Sequence, residues 1–154
     1  MFQTAPRLSR HFTLYEFTYS DTALAMGIDN APESDAMASL QRLARRTMEP
    51  IRWLLGAQPI LITSGYRCPE LNMAVDGASN SAHLYGCAAD FQCPEFGTPL
   101  EICRAIEPYL AGLQIDQLIH ENESWVHVGR APSGTPPRCE CLTIDNGQTV
   151  LGIV

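Results

Sequence analysis

Apolar residues recur at three- and four-residue steps between Pro32 and Leu55, at Met37, Leu40, Ala44, Met48, Ile51 and Leu55. That spacing lays one apolar stripe along a helix, the longest the chain offers. Pro50 falls inside the pattern and predicts a kink or a split there. Upstream, Thr13-Leu14-Tyr15-Glu16 reads as a capping box that opens a short helical turn. Ser20 to Met26 predicts another short helix, stopped by Gly27. After the long helix the period changes. Pro59-Ile60-Leu61-Ile62-Thr63 is a short β-prone apolar run, a buried strand that delivers Ser64-Gly65-Tyr66-Arg67 at its end.

Pro69 to Val75 predicts a short helix opened by its proline and closed by Gly77. Ala78 to Gly86 is small and polar, and reads as a loop. Cys87 to Cys93 reads as the next strand. Thr98-Pro99-Leu100-Glu101 is a second capping box, whose helix is expected to reach about Leu110 and end near Gly112. Ile115 to His120 and Trp125 to Gly129 predict a hairpin. Arg138 to Ile144 and Gln148 to Ile153 flank Asp145-Asn146-Gly147 and predict a terminal hairpin over 138–154. Helices come first, followed by mostly hairpin-linked strands. The expectation is an α+β fold around an antiparallel or mixed sheet, in a single domain spanning 1–154 with residues 1–10 as a loose lead-in.

Composition narrows the function classes. The chain has 154 residues, 45% of them apolar and 18% charged, which suits a packed globular core. Its formal charge of −7 disfavours nucleic acid as the main partner, because phosphate binding needs a basic surface. An apolar run of about 18 residues, as a membrane span requires, is absent, so no membrane partner is expected. The N-terminus lacks a basic start followed by an apolar core, so no secretory signal is expected and synthesis in the cytoplasm is the default. Cysteines at 68, 87, 93, 103, 139 and 141 form no C-x-x-C pair, and reduced thiols are expected. Cys139 and Cys141 alternate along a predicted strand and would face one side.

The candidate chemistry lies in Ser81 to Asp90, S-A-H-L-Y-G-C-A-A-D. An isolated His83 and Asp90 would more often be a loop histidine and a capping aspartate. Three features favour a site. Asp90 lies in a strand, where a carboxylate is costly unless paired or metal-bound. His127, between Val126 and Val128 in a second strand, points away from its apolar neighbours. Arg67 sits where a buried strand ends, a usual place for binding groups. Two imidazoles and a carboxylate suffice for a divalent metal that keeps one coordination position open. Arg67 suits a bidentate grip on a carboxylate. Ser81 either caps a turn or bonds a substrate. Glu121 and Glu123 are candidate bases, and His120 is either a further site group or an ordinary strand-end histidine.

S-G-Y-R-C-P-E-L-N at 64–72, S-A-H-L-Y-G-C-A-A-D-F at 81–91 and W-V-H-V at 125–128 together resemble the M15 family of zinc D-Ala-D-Ala peptidases, most nearly its small phage-associated members. The resemblance extends to H-F-T-L-Y-E-F near the N-terminus and covers roughly residues 8–130. It implies the fold shared by hedgehog signalling domains and DD-peptidases. It also implies one zinc ion per chain on His83, Asp90 and His127, with Arg67 on a substrate carboxylate or the transition state and Ser81 on substrate. Many members place the acidic base three residues before the last histidine, where this chain has Ser124. In the phage-type proteins the glutamate follows a strand reading Q-L-I-x-E, which selects Glu121 over Glu123.

The expected function is therefore zinc-dependent hydrolysis of peptidoglycan stem peptides, as a D-Ala-D-Ala carboxypeptidase or a related endopeptidase. The protein would act as a monomer that reaches the cell wall after release or as part of a phage or prophage. One alternative is a catalytically silent, zinc-containing wall- or protein-binding module of the same fold, for which the displaced base argues. A mononuclear iron oxygenase also uses two histidines and a carboxylate. It ranks last, because its His-x-Asp or His-x-Glu pair is close in sequence and here six residues intervene.

Overall fold

The computed structural model describes residues 6–154. Among these residues, strands β1 (Leu61–Ser64), β2 (Ala88–Gln92), β3 (Ile115–Glu121), β4 (Trp125–Arg130), β5 (Glu140–Asp145) and β6 (Gln148–Leu151) form one sheet. Their order is β1-β2-β4-β3-β5-β6. All neighbours are antiparallel except β3 and β5, which run parallel. The chain leaving β4 crosses to the free edge of β3 before β5 begins, so β5 must run alongside β3 rather than against it. The sheet is thus mixed, and the fold class is α+β.

Helices α1 (Leu14–Thr18), α2 (Asp21–Met26), α3 (Ser34–Leu43), α4 (Glu49–Leu54), α5 (Pro69–Ala74) and α6 (Pro99–Ile106) complete the regular elements. Both predicted capping boxes form, at Thr13 with Glu16 and at Thr98 with Glu101. The long helical pattern divides into α3, a wider π-helical turn over Ala44–Met48, and α4. Pro50 has no N–H to return to the preceding turn, and the widened turn directly ahead of it absorbs the missing bond. Thr47, buried in that turn, donates its hydroxyl to the Leu113 carbonyl at 3.0 Å and accepts from Arg130 Nη1 at 2.8 Å. Pro108 similarly ends α6 early, in a 3₁₀ turn over Glu107–Tyr109.

Alternation along β2, β3 and β4 sends Ala89, Phe91, Leu118, Val126 and Val128 to one face. They share a core with Leu40, Leu43, Met48, Ile51 and Leu55 of the long helical segment and with Ile102 and Ile106 of α6. The expected helical stripe is therefore the inner surface of the helical layer.

Three expectations need correction. Residues 1–5 lie outside the described ones, but the rest of the lead-in is anchored rather than loose. Leu8 is 1% exposed, and its carbonyl accepts from Arg45 Nε at 2.9 Å. Glu49 holds the same segment through Ser9 Oγ at 2.6 Å and the His11 backbone N–H at 2.7 Å. Within the expected loop 78–86, Ala82–Tyr85 forms a 3₁₀ turn capped by Ser81 and closed by Gly86 at φ +69°. A Cβ on Gly86 would meet the Ala36 carbonyl oxygen at 2.5 Å, so only glycine fits. Cys139, at φ +54°, precedes β5 instead of sitting in it, although both it and Cys141 pack against the core. The six cysteines are free thiols. No helix among the described residues is long and apolar enough to cross a membrane.

Candidate metal centre

The face of the sheet opposite the core carries the site. Register aligns Ser64, Asp90, His127, Ile119 and Leu142 in a row across β1, β2, β4, β3 and β5. A second row runs Trp125, Glu121, Ile144 and Thr149 across β4, β3, β5 and β6. Asp90 faces this side because its neighbours Ala89 and Phe91 are locked into the core. His127 does so because Val126 and Val128 are. These rows, the 3₁₀ turn carrying His83 and the β1–α5 loop carrying Arg67 enclose a cleft of about 620 Å³.

His83, Asp90 and His127 each offer an atom within 4.8 Å of the others, all buried or nearly so. His83 Nδ1 lies 2.6 Å from the Gly65 carbonyl oxygen. A carbonyl can only accept, so Nδ1 carries the proton and Nε2 presents its lone pair. Nε2 is fully buried and has no hydrogen-bond partner among the described residues. It lies 3.2 Å from Asp90 Oδ1 without forming a hydrogen bond. His127 Nδ1 lies 2.8 Å from the same oxygen. A lone pair facing a carboxylate is unfavourable unless a cation joins them. Donor atoms on one tetrahedral ion with bonds of about 2.0–2.2 Å stand roughly 3.3 Å apart; His83 Nε2 and Asp90 Oδ1 are 3.2 Å apart, and the three groups lie within 4.8 Å of one another. The donor set of two imidazoles and one carboxylate therefore fits a divalent metal, and the Gly65 carbonyl is placed to fix the His83 imidazole as an outer partner would.

Charge around Asp90 follows the same logic. Burial works to raise its pKa, but the neighbouring His83 and the His127 hydrogen bond outweigh burial and hold the carboxyl well below its ordinary value. Arg67 Nη2 donates to Asp90 Oδ2 at 3.3 Å, and its Nε donates to Ser64 Oγ at 3.1 Å. The Arg67 backbone N–H donates to the His83 carbonyl at 3.1 Å, tying the two loops together. Gly65, between them, has the Phe17 backbone where a Cβ would go. Ser81 lines the cleft and accepts from the His83 N–H at 3.3 Å, so it caps the turn and faces the cleft at once.

Glu121 also lines the cleft, and its Oε2 accepts from Trp125 Nε1 at 3.1 Å. Burial raises its pKa above the ordinary value and the Asp90 charge adds to this. His127, the indole N–H and His83 oppose them without cancelling the rise. Glu123 is exposed in the turn at φ +52°, and Ser124 is exposed beside it. His120 lies on the core face of β3, with Nδ1 3.2 Å from the Val154 carbonyl oxygen, and is not part of the cleft.

The family described as Peptidase M15 matches residues 10–129. The chain belongs to the Peptidase M15 family. All three proposed M15 metal positions, together with Arg67, Ser81 and Glu121, fall within that match, while β5 and β6 lie beyond it. A shorter stretch of 43 residues, 28% of this chain, is 44% identical to the zinc D-Ala-D-Ala carboxypeptidase of Streptomyces albus G. That stretch spans only 17% of the relative's length.

Sequence reasoning missed the groups that hold this M15 site in place. The Gly65 carbonyl and Ser64 act through backbone and loop geometry that leaves no periodic signal. Trp125 was readable in principle, because a short hairpin loop between β3 and β4 pairs it with Glu121. The contribution of Leu142 and Ile144 depends on the parallel crossover, which nothing local encodes.

Proposed function

We propose that this chain is a zinc peptidase that hydrolyses the stem peptides of peptidoglycan, with one zinc ion held by His83, Asp90 and His127. The observation that carries the reading is the buried His83 Nε2, turned toward Asp90 with its lone pair free. The relative's name, zinc D-Ala-D-Ala carboxypeptidase, supports the choice of zinc and of a peptide substrate. Zinc in this position supplies Lewis-acid activation of a carbonyl and of a water.

The chain's own residues supply the rest. Glu121, beside the row formed by Asp90, His127 and Ile119, takes a proton from the attacking water and returns it to the leaving amine. Its raised pKa suits a group that must hold that proton between the two events. The Trp125 indole fixes which Glu121 oxygen faces the cleft. Arg67 pairs with negative charge developing on the substrate carbonyl, or with a substrate carboxylate. Ser81 bonds the peptide backbone at the mouth of the cleft.

The test is direct. Purified protein is loaded with zinc and its metal content measured, then incubated with defined muropeptides whose products are read by mass spectrometry. Peptide-bond cleavage that stops on chelation and returns with zinc supports the reading. Binding of muropeptides without cleavage would replace it with the silent binding module. Stoichiometric iron with oxygen consumption would replace it with an oxygenase.

A further inference from the structure

The chain has no lysine, and all ten of its basic residues are arginines. Arg67, Arg138 and Arg45 are committed, to Asp90, to Asp116 and to the Leu8 carbonyl. Arg42 and Arg46 are not. They stand one turn apart on the long helical segment, exposed to solvent, and neither is ion-paired with a carboxylate among the described residues. Arg42 and Arg130, the last residue of β4, line one cavity of about 430 Å³ together with Gln114, Ser133 and Thr135. Arg130 Nη1 donates to Thr47 Oγ1 at 2.8 Å and to the Leu113 carbonyl at 3.3 Å, while its Nε and Nη2 donate to nothing among the described residues.

Burial lowers the Arg130 pKa, and the charges of Arg42 and Arg46 add to this, with no carboxylate acting against them. Arg130 nevertheless stays charged, as a guanidinium does in proteins. Like charges gathered round a concavity cost free energy that a bound anion offsets. The facing wall is the loop 131–137. The Thr135 N–H donates to the Pro132 carbonyl at 3.0 Å, and Gly134 takes φ +82°, the value that the third residue of a type II turn requires. Pro132, Pro136 and Pro137 fix φ on either side and stiffen this turn. The Ser133 and Thr135 hydroxyls are thus offered from a set frame. Several guanidinium forks with hydroxyls between them match a doubly charged tetrahedral oxyanion, whereas a planar carboxylate fills only one fork.

We infer that Arg42, Arg46 and Arg130, with Ser133 and Thr135, form a binding site for a phosphate group, taken as the free ion or as an ester carried on a larger molecule. The site is separate from His83, Asp90 and His127 and does not depend on the peptidase reading. Arg130 also lines the metal cleft, so a phosphate-bearing polymer held here lies alongside that cleft. Nucleic acid fits less well, because a chain of formal charge −7 repels a long polyanion beyond these few contacts.

The experiment titrates the isotope-labelled full chain, with and without stoichiometric zinc, with inorganic phosphate, glycerol phosphate, acetate and a short single-stranded oligonucleotide at constant ionic strength. Backbone amide and arginine Nε–H signals are followed by NMR. Phosphate or its ester is expected to shift Arg42, Arg46, Arg130 and residues 133–135, with or without zinc, and whichever of the two binds more tightly names the source of the group. Arg42→Gln and Arg46→Gln are each expected to weaken binding roughly threefold, and the double variant roughly tenfold, with no loss of fold because both side chains are exposed. Shifts confined to the surroundings of His83, Asp90 and His127 overturn the inference, and so does an affinity that the double variant leaves unchanged. Acetate bound as tightly as phosphate overturns the choice of phosphate. An oligonucleotide bound more than about tenfold tighter per phosphate than glycerol phosphate replaces the site with a nucleic-acid surface.

Discussion

The two faces of β2, β3 and β4 are almost equally hidden from water, yet they are opposite in chemistry. On the core face Ala89, Phe91, Leu118, Val126 and Val128 are all 0% exposed; on the cleft face Asp90 is 6% and His127 9% exposed. Burial therefore does not distinguish them. For the apolar set, burial is itself the stabilising contribution, about 25 cal/mol for each Å² removed from water. For Asp90 and His127 the same dryness is a cost, and the structure offsets it with Arg67, paired imidazoles and a backbone carbonyl. The core face needs only shape and volume. The cleft face needs particular atoms at particular distances, and it falls short of full compensation at His83 Nε2, where a cation fits.

The comparison breaks most sharply at Asp90. Asp90→Ala is expected to abolish hydrolysis and to weaken metal binding by at least about 100-fold in a chelator competition. Retention of zinc at wild-type affinity would remove Asp90 from the ligand set. Next comes Glu121→Gln, expected to lower kcat by about 10²–10⁴-fold with zinc content unchanged. Activity within a few-fold of wild type would shift the search for the base elsewhere. Leu118→Ala, one residue from the cleft-facing Ile119, should do the converse. It is expected to cost about 2–5 kcal/mol in denaturant unfolding while each folded chain still binds one zinc.

A smaller effect is the position of the acid limb in the pH–activity profile. A base works when ionised, so activity rises as pH passes its pKa. Burial and the Asp90 charge raise that of Glu121, which places the limb above the ordinary glutamate value of about 4.3. Trp125→Phe removes a hydrogen bond that favours the ionised form and is expected to move the limb higher still. A limb at or below that of an exposed glutamate would contradict the assignment. The smallest change is expected from His120→Gln, on the core face of the same strand as Glu121. It should leave zinc affinity unaltered and stability within about 1 kcal/mol.

Much of this architecture was legible along the chain. The capping boxes at Thr13 and Thr98 are written in side chains that bond to their own helix starts, so they form as read. The stripe from Met37 to Leu55 and the alternation in β2, β3 and β4 report directly which side of each element meets the core. Where the reading fell short, the cause was interaction between segments distant in sequence. Leu8 looked like part of a loose lead-in because its anchors, Arg45 and Glu49, belong to a helical segment some forty residues on. The turn holding His83 looked like loop because one 3₁₀ turn is too short for periodicity to register. His120 and Glu121 are adjacent in sequence, and only their placement on opposite faces of β3 separates a core histidine from a cleft carboxylate.

By itself, the sequence determined the candidate donor set, two histidines and an aspartate, and for Asp90 and His127 the faces on which they had to lie. Flanking apolar residues force each polar neighbour to the other side of a strand, which is a local property. Only the tertiary structure decided that Gly65 fixes the proton on His83, that Arg67 closes on Asp90, and that the hairpin beyond the family match forms the second bank of the cleft. Each of these depends on the order in which strands are laid side by side. That order is set by packing of the whole sheet against its helices, not by any stretch of residues within it.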